Sequence, residues 1–257
     1  MKRTPLKMAL EPTFDALFSK VTEKFGLQVT DFAETYDGQN WQCPKTGNSG
    51  AADWYSESSP QYLTGVSKTS VWTSGIGDAY TINIWMGPSY DVPNLLLSFG
   101  DAPDGTFFVD ADYVPRGSDP LGSNVAYMDK YYGEDVISAW DTSVGLTGAE
   151  FMPPSSSFHT RLLSSPARIH VKGLKRADDA AEVATAHVER FFEWIDVAQA
   201  VPARLRGSYN MRDDKLRQFF YRGEMVKNID LYGDELGSMI AAVNTGPVAE
   251  AYVGGGS

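Results

Sequence analysis

Apolar residues recur at helical spacing in two well-separated parts of the chain. Between residues 12 and 25 they form one stripe that ends at Gly26, a residue type that commonly terminates helices: Phe14, Leu17, Phe18, Val21 and Phe25. The segment 178–200 gives the clearest helical stripe: Ala180, Ala184, Val188, Phe191, Ile195 and Ala198. Shorter patterns predict three further helices, at 126–140, 209–222 and 234–243.

Strand patterns lie mostly between these helices. Alternating residues predict strands at 67–74 and 78–86, and a hairpin with a Pro-Asp-Gly turn follows in the segment "YDVPNLLLSFGDAPDGTFFVDADYVPRGSD", 90–119. The run 155–173 predicts two strands broken around Pro166. Two segments are predicted as loops: residues 35–65, which are polar, aromatic and glycine-rich, and "KNIDLYGD" at 227–234.

Successive strands with helices before and after them favour the α/β class. We therefore expect a three-layer α/β/α sandwich with a central antiparallel sheet. No linker interrupts the pattern, so residues 1–253 are predicted to form a single domain. The terminal "GGGS", 254–257, is predicted to be a linker remnant or a disordered tail.

One hydroxyl stands out in the apolar first strand of the hairpin. Ser98 lies among leucines and Phe99, so we expect it either in a satisfied core hydrogen bond or on the wall of a buried pocket. If Phe99 pairs with Thr106 across the turn, Asp110 and Asp112 point to the face opposite Ser98.

Composition excludes several classes of function. The net charge of −11 argues against general nucleic-acid binding, which depends on Lys and Arg neutralising phosphates. The single cysteine, Cys43, excludes a disulfide framework and a Cys-based metal site within one chain. No nucleotide-binding glycine motif is present, and no apolar run is long enough for a bilayer or a signal peptide. A soluble protein is expected.

The histidines differ in their surroundings. His187 lies on the apolar stripe of its helix, which favours a packed core histidine. His170 alternates with Arg168 and Lys172, where a solvated face is favoured over a site for an acidic partner. His159 shares strand parity with Ser157 and Arg161. Those three groups could hold a carboxylate, although a polar surface strand accounts for them about as well.

Five segments, taken in order, resemble one family. They are "DVPNLLLSF", "FFVDADYVPRGSD", "YMDKYY", "SSSFHTRLLSSPARIHV" and "VKNIDLYG", and together they cover roughly residues 70–245. They are similar to segments of the red chlorophyll catabolite reductases and of their relatives, the ferredoxin-dependent bilin reductases.

The resemblance implies a reductase of a linear tetrapyrrole, either a chlorophyll catabolite or a bilin such as biliverdin. Such enzymes bind no cofactor of their own. They pass single electrons from reduced ferredoxin to the pigment through a radical intermediate, while pocket side chains supply protons. The pigment would lie between the sheet and the C-terminal helices. The implied location is the plastid stroma in a photosynthetic eukaryote and the cytoplasm in a bacterium or virus, and a homodimer is left open.

The resemblance also implies roles for individual residues. Asp230 matches the family's C-terminal aspartate and is the first candidate proton donor, with His159 as the second; a turn or cap aspartate is the alternative for Asp230. The residues implied to bind substrate are Ser98, Arg161, Ser157, Asn94 and Phe107. Ser98 stands where the family has an acidic residue. A non-catalytic tetrapyrrole carrier on the same fold is therefore the alternative function.

Ferredoxin is acidic, so docking it on an acidic chain requires a local positive surface. Two sets of cations are candidates: Arg168 with Lys172, and a C-terminal group consisting of Arg204, Arg206, Arg212, Lys215, Arg217, Arg222 and Lys227. Ordinary solvated helix charges are an equally good account of both sets.

Overall fold

The computed structural model describes residues 9–30, 40–59, 61–116, 125–152 and 164–246. Within these ranges it contains six α-helices: α1 (Glu11–Phe25), α2 (Val125–Tyr131), α3 (Glu134–Val144), α4 (Ala177–Asp196), α5 (Ala203–Tyr232) and α6 (Asp234–Thr245). None of the helices in the described part of the chain has the length and apolar character needed to cross a membrane.

The same ranges contain nine strands: β1 (Leu27–Val29), β2 (Trp41–Gln42), β3 (Ser49–Glu57), β4 (Leu63–Thr73), β5 (Gly77–Met86), β6 (Asn94–Asp101), β7 (Phe107–Val114), β8 (Glu150–Phe151) and β9 (Ile169–Leu174). They form one sheet in the order β1-β3-β4-β5-β6-β7-β9-β8, with β2 paired to β3. Every pairing is antiparallel.

Helices cover both faces of this sheet, which confirms the predicted three-layer sandwich. Helices α1 and α4 pack on what we call the apolar face, where alternate strand residues such as Leu97, Phe99 and Val109 are fully buried in the main core. Helices α5 and α6 lie over the opposite face, which we call the polar face. There a smaller core around Trp54 and Trp85 adjoins many polar side chains.

The loop predicted at 35–65 is wrong where β3 forms. Ala52 and Trp54 of this strand are buried on the polar face, but small residues and glycines conceal the alternation in the sequence. Gly50 is required there, because a Cβ at this position would lie 2.3 Å from the Ser70 carbonyl oxygen. The strand therefore uses glycine for close packing, a signal that resembles a loop.

The loop predicted at 227–234 is also wrong. Helix α5 continues to Tyr232, and only Gly233 separates it from α6. Gly233 has φ 86°, a conformation that favours glycine and lets the chain reverse direction at this point. The apolar residues of α5 form no single stripe, so helical periodicity underestimates its length. The helix predicted at 126–140 is in turn divided, into α2 and α3.

The hairpin register differs from the expected one and changes the content of the polar face. Phe99 pairs with Val109 rather than with Thr106, so Ser98 lies directly opposite Asp110 and Leu96 opposite Asp112. The prediction that both aspartates point away from Ser98 is therefore wrong. The loop between the strands is wider than the Pro-Asp-Gly turn suggests, since pairing begins only at Asp101 and Phe107.

Candidate functional site

Polar side chains cross the middle of the sheet in two adjacent rows on the polar face. The first row runs through directly paired residues of five strands: Thr69, Thr81, Ser98, Asp110 and His170. The second row contains one apolar residue among its four: Ser67, Asn83, Leu96 and Asp112. Since same-face side chains of paired residues are about 5 Å apart, each row is a continuous band beneath α5 and α6.

Hydroxyl and amide groups make up the β4 to β6 side of these rows. The Thr81 hydroxyl donates to Ser98 Oγ at 3.2 Å, and Thr69 donates to Asn244 Oδ1 of α6 at 2.7 Å. Ser67 is fully buried, and its hydroxyl has no hydrogen-bond partner among the described residues. Ser98 is half-buried, so it combines the two expected environments: a hydrogen bond inside a polar band that remains partly open.

Charged groups make up the β7 to β9 side. Arg168 donates to Asp110 through two nitrogens, Nε to Oδ1 at 2.8 Å and Nη2 to Oδ2 at 2.5 Å, which is a bidentate arrangement. His170 Nδ1 is 4.0 Å from Asp110 Oδ2. Desolvation lowers the pKa of His170, although Asp110 partly opposes this effect. All three side chains are half-exposed, so this end of the band is accessible.

Asp112 lies deeper in the band and is only 4% exposed. The backbone N–H of Ser165 lies 3.2 and 3.1 Å from its two carboxylate oxygens. Burial raises the pKa of Asp112 to about 7, because desolvation outweighs the hydrogen bonds from Ser165 and the positive charge of Arg168. A carboxyl group in this state can hold a proton near neutral pH and release it.

Helix α5 adds two charges above this end of the sheet. Lys227 is exposed to solvent, although the surrounding protein partly desolvates it. Its pKa is raised, first by the carboxylate of Glu224 and more weakly by Asp110. The charged end of the band therefore carries cations on both layers, with Arg168 on the sheet side and Lys227 on the helix.

A buried ion pair anchors α5 to the sheet beside the band. Arg116 donates to the Asp213 carboxylate through Nε, at 3.0 and 3.2 Å, and through Nη2. Its remaining N–H groups reach backbone carbonyls, including those of Gly87 and Tyr90, both at 2.9 Å. Asn94 joins this network by donating to Asp213 and accepting from the Met86 N–H. The predicted substrate-binding residue Asn94 is therefore fully buried and already engaged in anchoring.

The structure separates the other predicted site residues. Phe107 lies in the main core on the apolar face, opposite to Ser98, because the actual register reverses its expected position. Asp230 is exposed on the last turns of α5, without the burial on which its predicted acidity relied. His159, Ser157 and Arg161 lie outside the described residues. Their roles, like that of Asp230, stay predictions.

Asp110 and Asp112 were missed as site residues because one assumed residue pair decided their face. The hairpin itself was predicted, but an odd-numbered change in register moves every side chain to the other face. The sequence "FFVDADYV" contains a signal that favours the observed register, since it buries Val109, Ala111 and Tyr113 together in the main core.

Comparison with known proteins yields a match in structure alone. No protein-family model matches the chain, and no curated protein sequence does. The crystal structure of selenomethionine phytochromobilin synthase from tomato, in complex with biliverdin, matches with a TM-score of 0.69 and 11% sequence identity, over 93% of this chain and 85% of the synthase. A match at this identity establishes architecture. The chain therefore shares the fold of this synthase, built on a central antiparallel sheet between two layers of helices.

Proposed function

We propose that the protein binds a linear tetrapyrrole against the polar face of the sheet and reduces it. The observation that carries the proposal is the pair of polar rows beneath α5 and α6. Placing hydroxyl, amide and carboxyl groups between two layers of a fold costs stability, since each loses hydration. Such a band is expected where a ligand needs a few placed polar groups in otherwise apolar surroundings.

The charges of the band suit a pigment that carries carboxylates. Lys227 and Arg168 lie at one end, where the propionate groups of a linear tetrapyrrole would find cations. Arg168 already holds Asp110, so Lys227 is the more available of the two. Arg161 and Ser157 stay proposed pigment-binding residues, and His159 a proposed proton donor, on the sequence resemblance alone. The ligand in the matching synthase structure is biliverdin, which makes biliverdin the first pigment to test.

The proposed electron donor is a reduced ferredoxin docking on the outer surface of α5. Arg204, Lys215 and Arg222 are exposed, and their spacing of roughly three and roughly five helical turns places them along one side of the helix. Two carboxylates of this helix are engaged with other cations. Asp213 pairs with Arg116, and Asp214 pairs with Arg217 at 2.9 Å. We call the line of three cations the α5 stripe.

The other candidate cations are less suited to docking. Arg217 is buried, Lys172 is 3.4 Å from Glu150, and Arg168 pairs with Asp110. Opposite charges close to these side chains cancel much of their field at a distance. The α5 stripe is therefore our choice of docking surface on a chain whose net charge is −11.

A non-catalytic carrier is the second candidate function, and the centre of the first row favours it. Thr69, Thr81 and Ser98 offer hydroxyl groups only, and Ser98 stands where the resembled family has an acid. A hydroxyl group can bind a pyrrole or carbonyl but does not donate a proton as readily as a carboxyl group. Ser98→Asp tests this reading. Should the wild type bind pigment without reducing it and Ser98→Asp gain reduction, the carrier function would replace the enzyme.

The decisive experiment is anaerobic titration of the purified protein with biliverdin, followed by addition of reduced ferredoxin. We expect a one-to-one complex with a shifted visible spectrum, a raised melting temperature and subsequent loss of conjugation. Lys227→Met should weaken binding more than Lys172→Met, because Lys172 is paired with Glu150 of β8. An unchanged spectrum and melting temperature with biliverdin, phycobilins and red chlorophyll catabolite would contradict the proposed function.

A further inference from the structure

We infer that Asp112 is the proton donor of the reduction, in place of the β6 position that Ser98 occupies. This inference rests on the proposed function and names a residue for it. Asp112 is on the strand next to Ser98 and on the same face. It pairs with Leu96, two residues from Ser98, so the two side chains are diagonal neighbours at roughly 7 Å. A pigment in contact with Ser98 is within reach of Asp112.

Asp110 and Asp112 have different surroundings although they project from the same face of one strand. Asp110 is half-exposed and receives two charged hydrogen bonds from Arg168. Asp112 is buried, and its hydrogen bonds within the described residues come from Ser165, whose N–H lies more than 3 Å from both carboxylate oxygens. Environments that separate the proton affinities of two neighbouring acids are a recurrent arrangement at acid–base sites. Asp112 is the member of this pair suited to donate a proton.

The groups that face Asp112 come from three elements. Asp110, on its own strand, disfavours ionisation of Asp112, whereas Arg168 and the N–H of Ser165 favour it. Tyr132, which follows α2, is buried close to Asp112, and the charge of Asp112 contributes to the raised pKa of Tyr132. Tyr132 donates its hydroxyl hydrogen to the Tyr113 carbonyl oxygen and so offers Asp112 no competing proton. Among these groups, the carboxyl group of Asp112 is therefore the one that can donate a proton to the pigment.

The step balances with an external one-electron donor. Each carbon–carbon double bond reduced requires two electrons, supplied by two molecules of a reduced iron–sulfur carrier, and two protons. Asp112 transfers its O–H proton to the pigment after the first electron arrives, and a C–H or N–H bond forms on the pigment. The second proton comes from solvent, and the Asp112 carboxylate is then reprotonated from solvent.

Asp112→Asn removes this proton and keeps the side-chain size. We expect the variant to bind biliverdin with wild-type affinity, to lose reduction by about a hundredfold or more, and to accumulate the one-electron-reduced pigment, detected by electron paramagnetic resonance. The matched control is Asp141→Asn, the same exchange at an exposed position on α3, which should keep the wild-type rate. A rate equal to that of the wild type in Asp112→Asn would overturn the inference.

A pH profile separates a chemical role from a structural one. The wild-type rate should fall as pH rises above about 7, because Asp112 then loses its proton. Asp110→Asn should move this fall to lower pH, since it removes the neighbouring negative charge and leaves Arg168 unpaired. A fall at the same pH in Asp110→Asn would contradict the inference.

Failure of the inference and failure of the proposed function give different results. Infrared difference spectra of the protein without pigment should show a protonated carboxyl band below pH 7 that is missing in Asp112→Asn. If wild type binds and reduces pigment but this band is unchanged in the variant, Asp112 is not the donor and the proposed function stands. If wild type binds no pigment, the proposed function fails and the inference fails with it, whatever the infrared band shows.

Discussion

Two consecutive residues of β6 show how differently the two faces of the sheet are built. Phe99 is completely buried and contacts Phe14 of α1 and Tyr80 of β5, with ring centroids 6.3 and 6.0 Å apart. Ser98 points to the opposite side, is half-buried, and shares a hydrogen bond with Thr81. Alternation along a strand places the two side chains in different layers although their backbones are adjacent.

The apolar face holds the larger hydrophobic core, whereas the polar face carries the groups on which the proposed function depends. Apolar side chains fill the space beneath α1 and α4, so their burial supplies most of the hydrophobic driving force. The band beneath α5 and α6 replaces part of that contact with groups that need partners. The burial of apolar side chains on the apolar face must therefore offset the stability that the polar band costs.

The strongest test of this difference replaces Phe99 and Ser98 of β6 by alanine in two separate variants. Phe99→Ala should lower the free energy of unfolding by about 3–5 kcal/mol, because it leaves a cavity among rigid aromatic neighbours. Ser98→Ala should change it by less than about 1 kcal/mol, since it removes one hydrogen bond in a partly open environment. Urea unfolding followed by circular dichroism measures both. Equal losses would show that the two faces contribute alike.

The Arg116–Asp213 ion pair is the exception on the polar face. Breaking it should lower the free energy of unfolding almost as much as Phe99→Ala does. Arg116→Met leaves the buried Asp213 carboxylate without its cation, with the 3.4 Å hydrogen bond from Asn94 retained, and takes a donor from several carbonyls. The expected cost is about 3 kcal/mol or slightly more. The double variant Arg116→Met with Asp213→Leu should recover most of it. Lys20→Met, which breaks the exposed pair with Glu189, is the control and should cost less than about 1 kcal/mol. A double variant as unstable as the single one would contradict this reasoning.

The same contrast explains what could be predicted from the sequence. Both ends of α1 and the start of α4 were predicted to within one residue, because their apolar stripes face a continuous core, although α4 ends at Asp196 rather than at 200. His187 was also correctly predicted as a core residue: it stacks on Tyr113 and is 2% exposed. Helix α5 was cut short because it lies over the polar band and has no apolar stripe to reveal it.

The candidate site could be predicted only as far as its strands. Ser98 was recognised from its apolar neighbours, but Asp110 and Asp112 were placed on the wrong face by one register assumption. Register depends on where pairing begins after the turn, and that is decided by packing across the sheet rather than by local sequence. Asp230 shows a second limit, because the motif match implied a role for this residue but did not predict that its side chain is exposed.

One buried titratable group on each face makes stability depend on pH with opposite signs. Burial lowers the pKa of His187 to about 4, so its contribution is lost as pH falls from 6.5 toward 4, by about 3 kcal/mol. Asp112 has its pKa raised from 3.8 to about 7, so its contribution is present at low pH and is lost as pH rises toward 7. In the wild type the two effects largely cancel between about pH 4 and 6.5.

Removing either group should reveal the pH dependence of stability that the other group causes. In Asp112→Asn, the free energy of unfolding should fall as pH drops through this window, because only His187 remains to resist protonation. In His187→Phe, which keeps the stacking on Tyr113, it should rise as pH drops. Urea midpoints across the window measure both slopes. Parallel profiles for the two variants would show that these groups do not control the pH dependence.

The smallest effect on folding, and the last distinction between the faces, concerns the outer surfaces of their helices. The α5 stripe is positive, and the exposed side chains of Met211 and Val226 lie on the same helix, 65% and 64% accessible. On the other side of the molecule, Lys20 of α1 is paired with Glu189. An acidic partner should therefore approach α5 in preference to α1.

Lys215→Glu combined with Arg222→Glu should leave the melting temperature unchanged and slow association with reduced ferredoxin by about tenfold at low salt. High salt should remove most of this difference, because it screens exposed charges. Lys20→Glu is the matched control and should associate at the wild-type rate. Stopped-flow measurements at low and high ionic strength test the comparison, and equal slowing by both charge reversals would remove the α5 stripe as the docking surface.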